Sequence, residues 1–200
     1  MVKLRRWEIP GCVYHVSFPT RWRRKLLSGI IADYIAVEIL KLDSLDDCHL
    51  LAWCIMPEHV HLLIQPPDGK ISKVVKRVEG RSGKKFSPYF PDMDKFWEAR
   101  YWDLRLRSFK QIETECLYIE NNPIRRGLCE RPEDWRWSSA HIRHFGRVFF
   151  HGSRNLRREN PTSQMWAYRF QDALLVTPLL RHSNLARPIP ADRSLRLYVR

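Results

Sequence analysis

Two histidines one residue apart, His59 and His61, stand inside the apolar run Cys54-Ile55-Met56-Pro57-Glu58-His59-Val60-His61-Leu62-Leu63-Ile64-Gln65. On a β-strand alternate side chains share a face, so His59 and His61 point one way with Leu63 and Gln65, while Val60, Leu62 and Ile64 point the other. Two neutral imidazoles side by side on a rigid strand make a half-site for a divalent metal, because each offers a nitrogen lone pair and has little freedom to turn away. Two histidines that merely hydrogen-bond at a sheet surface would leave the same pattern. A further reactive group comes later in the chain. Ile112, Cys116 and Ile119 recur four and three residues apart, the buried stripe of a helix, and Tyr118 lies off that stripe. Asn122 follows Tyr118 by four residues, which sets amide above phenol if the last turn persists, and Pro123 puts Asn122 at the helix terminus. A phenol is a poor nucleophile at neutral pH. It needs a base, or a substrate phosphate whose charge is offset by a metal, so a tyrosine beside a two-histidine metal site is coherent chemistry for phosphodiester transfer.

The elements that must position these groups follow from periodicity. Val13 to Phe18 reads as a first strand, with His15 on one face as an edge or outer supporting group. Leu27, Ile30, Ile31, Tyr34, Ile35, Val37 and Leu40 recur at helical spacing and read as core. His49 to Ile55 is a second strand, joined by the short Met56-Pro57-Glu58 connection to the histidine strand, which Pro66-Pro67-Asp68-Gly69 ends. Ile71, Val74, Val75 and Val78 then fit a helix whose other positions carry Lys73, Lys76, Arg77 and Lys84. Directly after the histidine strand, this basic helix is expected to form a floor for a polynucleotide. Phe96 to Asp103 is rich in aromatics, a strand or a stacking platform, with Trp97 and Trp102 assigned to core packing. Ser108 to Asn121 is the tyrosine helix, and the indoles of Trp135 and Trp137 cap the core.

Composition narrows the partner. The 200-residue chain carries 35 Lys and Arg against 22 Asp and Glu, a net charge of +13. Much of the excess is Arg, which suits planar, bidentate recognition of phosphate, so nucleic acid is the leading partner. Arg21-Trp22-Arg23-Arg24-Lys25 interleaves four charges with an indole, and Arg125-Arg126-Gly127 is a basic turn after the tyrosine helix; both are candidate phosphate contacts. One domain is expected over residues 1–140. Residues 141–200 hold eleven Arg and no Lys against Glu159, Asp172 and Asp192, an Arg-rich appendage carrying +8 of the total charge. Five cysteines without a Cys-x-x-Cys pair indicate neither a disulfide framework nor a zinc ribbon. The N-terminus has no apolar signal region and no run is long enough to span a membrane, so the expectation is a soluble, cytoplasmic, nucleoid-associated protein with no membrane partner.

The motifs, in their order, resemble a known family: the single-tyrosine HUH transposases, and among them the REP-associated tyrosine transposases. The resemblance rests on Met56-Pro57-Glu58-His59-Val60-His61-Leu62-Leu63, on Phe96-Trp97 through Tyr101-Trp102-Asp103, on Tyr118-Ile119-Glu120-Asn121-Asn122-Pro123 with Gly127-Leu128, and on Arg131-Pro132-Glu133-Asp134-Trp135 running into Trp137-Ser138-Ser139. It covers about Leu4 to Ala140. It implies an α/β (α+β) ferredoxin-like fold, an antiparallel sheet with packed helices and the histidine strand in its middle. It further implies His59 and His61 as metal ligands, Asn122 as a third ligand, Tyr118 as nucleophile, and Mg²⁺ or Mn²⁺ as cofactor. The implied activity is cleavage and rejoining of single-stranded, hairpin-bearing DNA such as REP-like repeats through a 5′-phosphotyrosine, by a monomer or homodimer. The alternative is a non-catalytic relative that binds hairpin DNA through the same basic surface.

Overall fold

The computed structural model describes residues 8–44 and 48–145. Its chain order begins with strand β1 (Val13–Pro19), helix α1 (Gly29–Ser44), strands β2 (His49–Met56) and β3 (His59–Gln65), helix α2 (Ile71–Phe86) and strand β4 (Trp102–Leu106). Helices α3 (Phe109–Glu120), α4 (Asn122–Arg125) and α5 (Ser139–Phe145) follow. Among the described residues the strands form one sheet in the order β2-β3-β1-β4, with every neighbouring pair antiparallel. This is the ferredoxin-like arrangement expected from the motifs.

Topology decides which face holds which helix. Since β3 is antiparallel to both β1 and β2, the connection through α1 joins parallel strands with β3 between them; the connection through α2 likewise joins β3 to β4 across β1. Right-handed crossovers of this kind put both helices on the same side of the sheet. Accordingly Tyr14, Val16, Phe18, Val60, Leu62 and Ile64 share one buried cluster with Ile35 and Ile39 of α1 and Val74, Val75 and Val78 of α2. The other face of the sheet is left to α3. There Val13, Leu51, Ala52, Cys54, Met56, Leu63 and Leu106 pack with Cys116 and Ile119. A register shift between Leu50 and Ala52 lets Leu51 and Ala52 both serve this second cluster while Leu50 and Trp53 serve the first.

Two details differ from the periodicity. Ile30, counted into the α1 stripe, is 77 % exposed in the helix's first turn, and the core is instead entered by Leu27, just before the helix. Trp102, assigned to the core, is 52 % exposed, because β4 is an edge strand and α3 packs chiefly over β2 and β3; Trp97 is buried as expected. Beyond α4, Trp137 O accepts from Ile55 N and the Trp135 indole donates to Ile55 O, both at 2.9 Å, so this segment covers the free edge of β2. The 140/141 boundary falls inside α5, and the Arg-rich arm beyond Phe145 lies outside the described residues.

Candidate active site

β3 is hydrogen-bonded on both sides, to β2 and to β1, so its side chains have a fixed origin. The two-residue Pro57-Glu58 turn that feeds it is anchored in turn: Pro57 O accepts from Leu27 N, and Glu58 O accepts from Thr20 N, each at 2.9 Å. His59 and His61 emerge on the α3 face, buried, with their Nε2 atoms 2.9 Å apart. Two nitrogens each about 2.0–2.1 Å from one cation, about 90–110° apart around it, stand roughly 3 Å from one another. The pair therefore has the bite of a bidentate metal site. Among the described residues no group of three or more His, Cys, Asp or Glu is disposed to hold a metal ion. Further ligands would have to be amide, water or substrate oxygens, which oxygen-preferring Mg²⁺ requires more strongly than Mn²⁺.

Electrostatics keep the imidazoles available. Burial pushes His59 down to about 4, with the nearby Glu58 carboxylate opposing and Arg23 and Arg126 reinforcing the shift. His61 is held well below the ordinary histidine range by burial and then by His59, His15 and Arg23. Both are neutral at pH 7 and offer lone pairs. Glu58 Oε1 lies 3.3 Å from His59 Nδ1, close enough for Coulombic attraction but outside hydrogen-bonding geometry. Arg126 Nη2 donates to the same oxygen at 2.9 Å, and Arg23 Nη2 stands 3.9 Å away.

The tyrosine arrives from α3. Ser108 caps that helix, accepting from Gln111 N at 3.2 Å, while Gln111 Oε1 accepts from Arg107 N at 2.7 Å. Cys116, Ile119 and Glu120 face inward, and Glu120 is tied to Ser139 and Arg143, which fixes the end of α3 against α5. Tyr118 lies off this stripe and is 38 % exposed, its ring 6.1 Å from that of His61 and 5.9 Å from that of His15. The histidine pair and the phenol thus meet within one chain. The helix breaks at Asn121 and restarts as α4 with Pro123 in its first turn, so Asn122 is a buried junction residue. Its amide nitrogen donates to Tyr118 O at 2.9 Å, which leaves the carboxamide oxygen as the group able to accept. The same turn brings the Arg125 guanidinium 4.8 Å over the Tyr118 ring.

The basic residues divide. Arg23, Arg125 and Arg126 gather at the site. Arg21 pairs with Asp94 and Glu98, and Arg24 with Asp92, so these two are held by carboxylates of the segment before β4; Lys25 is exposed beside them. Lys73, Lys76, Arg77 and Lys84 ride on α2, which covers the face of the sheet opposite the histidines. They form no floor beneath the site. Sequence adjacency to β3 suggested otherwise, but the apolar face of β3 needs cover and α2 supplies it.

Features without a local sequence signal complete the surroundings. Trp22 and Arg23 both hold left-handed φ, 55° and 52°, strained for non-glycine residues. Glu98 Oε1 accepts from Trp22 N at 2.7 Å and holds this turn, and the Trp22 indole is 56 % exposed. Trp102, on β4 opposite Ser17, packs edge-on against His15 at 5.0 Å, one ring away from both His61 and Tyr118.

Comparison with known proteins fixes the family. The family model described as "Transposase IS200 like" matches residues 8–122, from the start of the described chain to Asn122. The chain belongs to the IS200-like transposase family. It is 26 % identical over 141 residues to the REP-associated tyrosine transposase of Escherichia coli (strain K12), covering 70 % of this chain and 84 % of that one. It is also 26 % identical over 92 residues to the ISDra2 transposase TnpA of Deinococcus radiodurans, covering 45 % of this chain and 66 % of that one. Among solved structures, that of a REP-associated tyrosine transposase bound to a REP hairpin superposes with a TM-score of 0.57 at 23 % identity. It covers 78 % of this chain and all of that one, and supports the fold. The resemblance to REP-associated tyrosine transposases is thereby borne out for this transposase domain.

Proposed function

We propose that this transposase is a metal-dependent strand transferase that cleaves and rejoins single-stranded, hairpin-bearing DNA, with Tyr118 as nucleophile. The observation that carries the reading is the convergence of Tyr118 with the His59–His61 pair on one face of the sheet in a single chain. His59, His61 and the Asn122 carboxamide oxygen would hold Mg²⁺ or Mn²⁺. When bound, the metal offsets the charge of the scissile phosphate. The Tyr118 oxygen attacks phosphorus and gives up its phenolic proton; the bond to the 3′ oxygen breaks and that oxygen takes up a proton. The products are a 5′-phosphotyrosine ester and a free 3′-hydroxyl. Attack of a 3′-hydroxyl on the ester releases Tyr118 and reseals the strand, so no nucleotide triphosphate is needed.

Arg23, Arg125 and Arg126 surround the site with positive charge, and the exposed Trp22 and Trp102 offer faces for unpaired bases. The hairpin partner is carried over from the relative solved with a REP hairpin. No helix of the described residues is long and apolar enough to cross a membrane; action on DNA in the nucleoid follows from the proposed activity. The full chain, incubated with Mn²⁺ and a labelled hairpin oligonucleotide, should form an adduct that survives a denaturing gel. Tyr118→Phe should lose the adduct while still binding DNA. An adduct that persists in Tyr118→Phe removes Tyr118 from the role; hairpin binding without any wild-type adduct, unaltered by chelator, points instead to a non-catalytic DNA-binding protein.

A further inference from the structure

We propose that Glu115 and His15 act as a positioning relay that fixes the tautomer of His61, so that its Nε2 lone pair is presented to a divalent cation. The inference rests on the reading of His59 and His61 as a metal pair. His15 is 2 % exposed, on β1 beside the histidine strand. Its Nδ1 lies 2.7 Å from Glu115 Oε2, on the helix that also carries Tyr118, and its Nε2 lies 2.9 Å from His61 Nδ1. Each link dictates the next. A carboxylate only accepts, so His15 Nδ1 carries the hydrogen. A neutral His15 then has a lone pair on Nε2, which must be met by a hydrogen on His61 Nδ1. His61, neutral in turn, is left with its lone pair on Nε2, the atom facing His59.

The opposite tautomer is disfavoured on two counts. It would set two lone pairs against each other at 2.9 Å in a buried contact, and it would place a hydrogen where a cation must bind. The arrangement also explains why three neighbouring histidines form no cage: His15 meets the rear nitrogen of His61 rather than the front one. Because Glu115 stands one turn before Tyr118, the relay couples the orientation of α3 to the chemistry of β3.

The test uses the full chain in three measurements. In the ¹⁵N-labelled, metal-free wild type, long-range ¹H–¹⁵N spectra should show His61 as the Nδ1–H tautomer. Glu115→Leu and His15→Phe should both give a mixture. Mn²⁺ affinity, followed by the electron paramagnetic resonance of free Mn²⁺, should fall about 10–100-fold in both variants, the usual effect of removing an outer partner of a metal ligand. Glu115→Gln, which keeps an acceptor oxygen, should retain most of the affinity and the single tautomer. An Nε2–H tautomer in the wild type, or unchanged Mn²⁺ affinity in both Glu115→Leu and His15→Phe, would overturn the relay alone. A wild type that takes up no Mn²⁺, or takes it up as well after His59→Ala, overturns the metal reading and the relay with it.

Discussion

Acidifying the metal-free protein from pH 7 to pH 5 is expected to weaken its fold by about 2 kcal/mol through His59 alone. An ordinary histidine, as in the unfolded chain, titrates near 6.5, whereas burial holds His59 at about 4. Between those values the unfolded chain binds the proton and the folded chain does not. The stability contributed by the neutral ring is therefore complete above about 6.5 and is lost as pH falls toward 4. Over the full window a shift of this size is worth about 3 kcal/mol, and about 2 kcal/mol of it is spent by pH 5. His61 and His15 are shifted in the same direction by burial and add to the loss. Glu38 and Asp134 are held below the ordinary carboxylate range by their basic partners, so their loss falls at lower pH than that of the histidines. Urea denaturation should show the midpoint falling by about 1 M, given a slope of about 2 kcal/mol/M. His59→Gln should shrink that pH dependence. Equal midpoints at pH 7 and pH 5, or a His59→Gln variant as acid-sensitive as the wild type, would refute the picture of a buried neutral pair.

Other perturbations separate fold from site. Leu62→Ala, on the face between the histidines and α2, should destabilise by about 2–5 kcal/mol in calorimetry yet leave the Mn²⁺ stoichiometry unchanged. Gly69→Ala should cost about 2 kcal/mol or more, measured as a lowered Tm: φ there is +74° and an added Cβ would sit 2.4 Å from the Ile9 carbonyl carbon. Ser82→Ala removes the buried acceptor of the Trp97 indole, 2.9 Å away, and should cost about 1–3 kcal/mol in urea. Trp102→Ala should weaken single-stranded DNA binding by about 1–3 kcal/mol in fluorescence anisotropy, and Trp102→Phe much less. Unchanged affinity in Trp102→Ala would return that indole to a structural role.

The sequence made some of this legible and hid the rest for physical reasons. Strand alternation alone placed His59 and His61 together and Val60, Leu62 and Ile64 opposite, because a period of two admits no other arrangement. Helical spacing likewise set Tyr118 off the buried stripe of α3. The face taken by α2 was less apparent: its lysines follow the histidine strand in sequence, but crossover handedness carries them to the far side. The indole of Trp102 looked like core because composition does not announce an edge strand. Arg21 and Arg24 looked like free phosphate contacts because their partners, Asp94, Glu98 and Asp92, lie 68 to 77 residues away. His15 carries no ligand spacing, and its link to Glu115 spans 100 residues. The strain at Trp22 and Arg23 has no glycine to mark it.

The division of the sheet into two faces bears on how such a chain can change over evolutionary time. None of the chemistry belongs to the cluster that α1 and α2 make with Val60, Leu62 and Ile64, which is the larger part of the core. On the proposed mechanism, substitutions at Tyr118, His61 or Asn122 would therefore erase strand transfer while that cluster goes on holding the domain together. A lineage released from selection for mobility would pass through folded, inactive proteins before unfolded ones. Such proteins would keep Arg125, Arg126 and the exposed indoles, and so would still be suited to binding DNA.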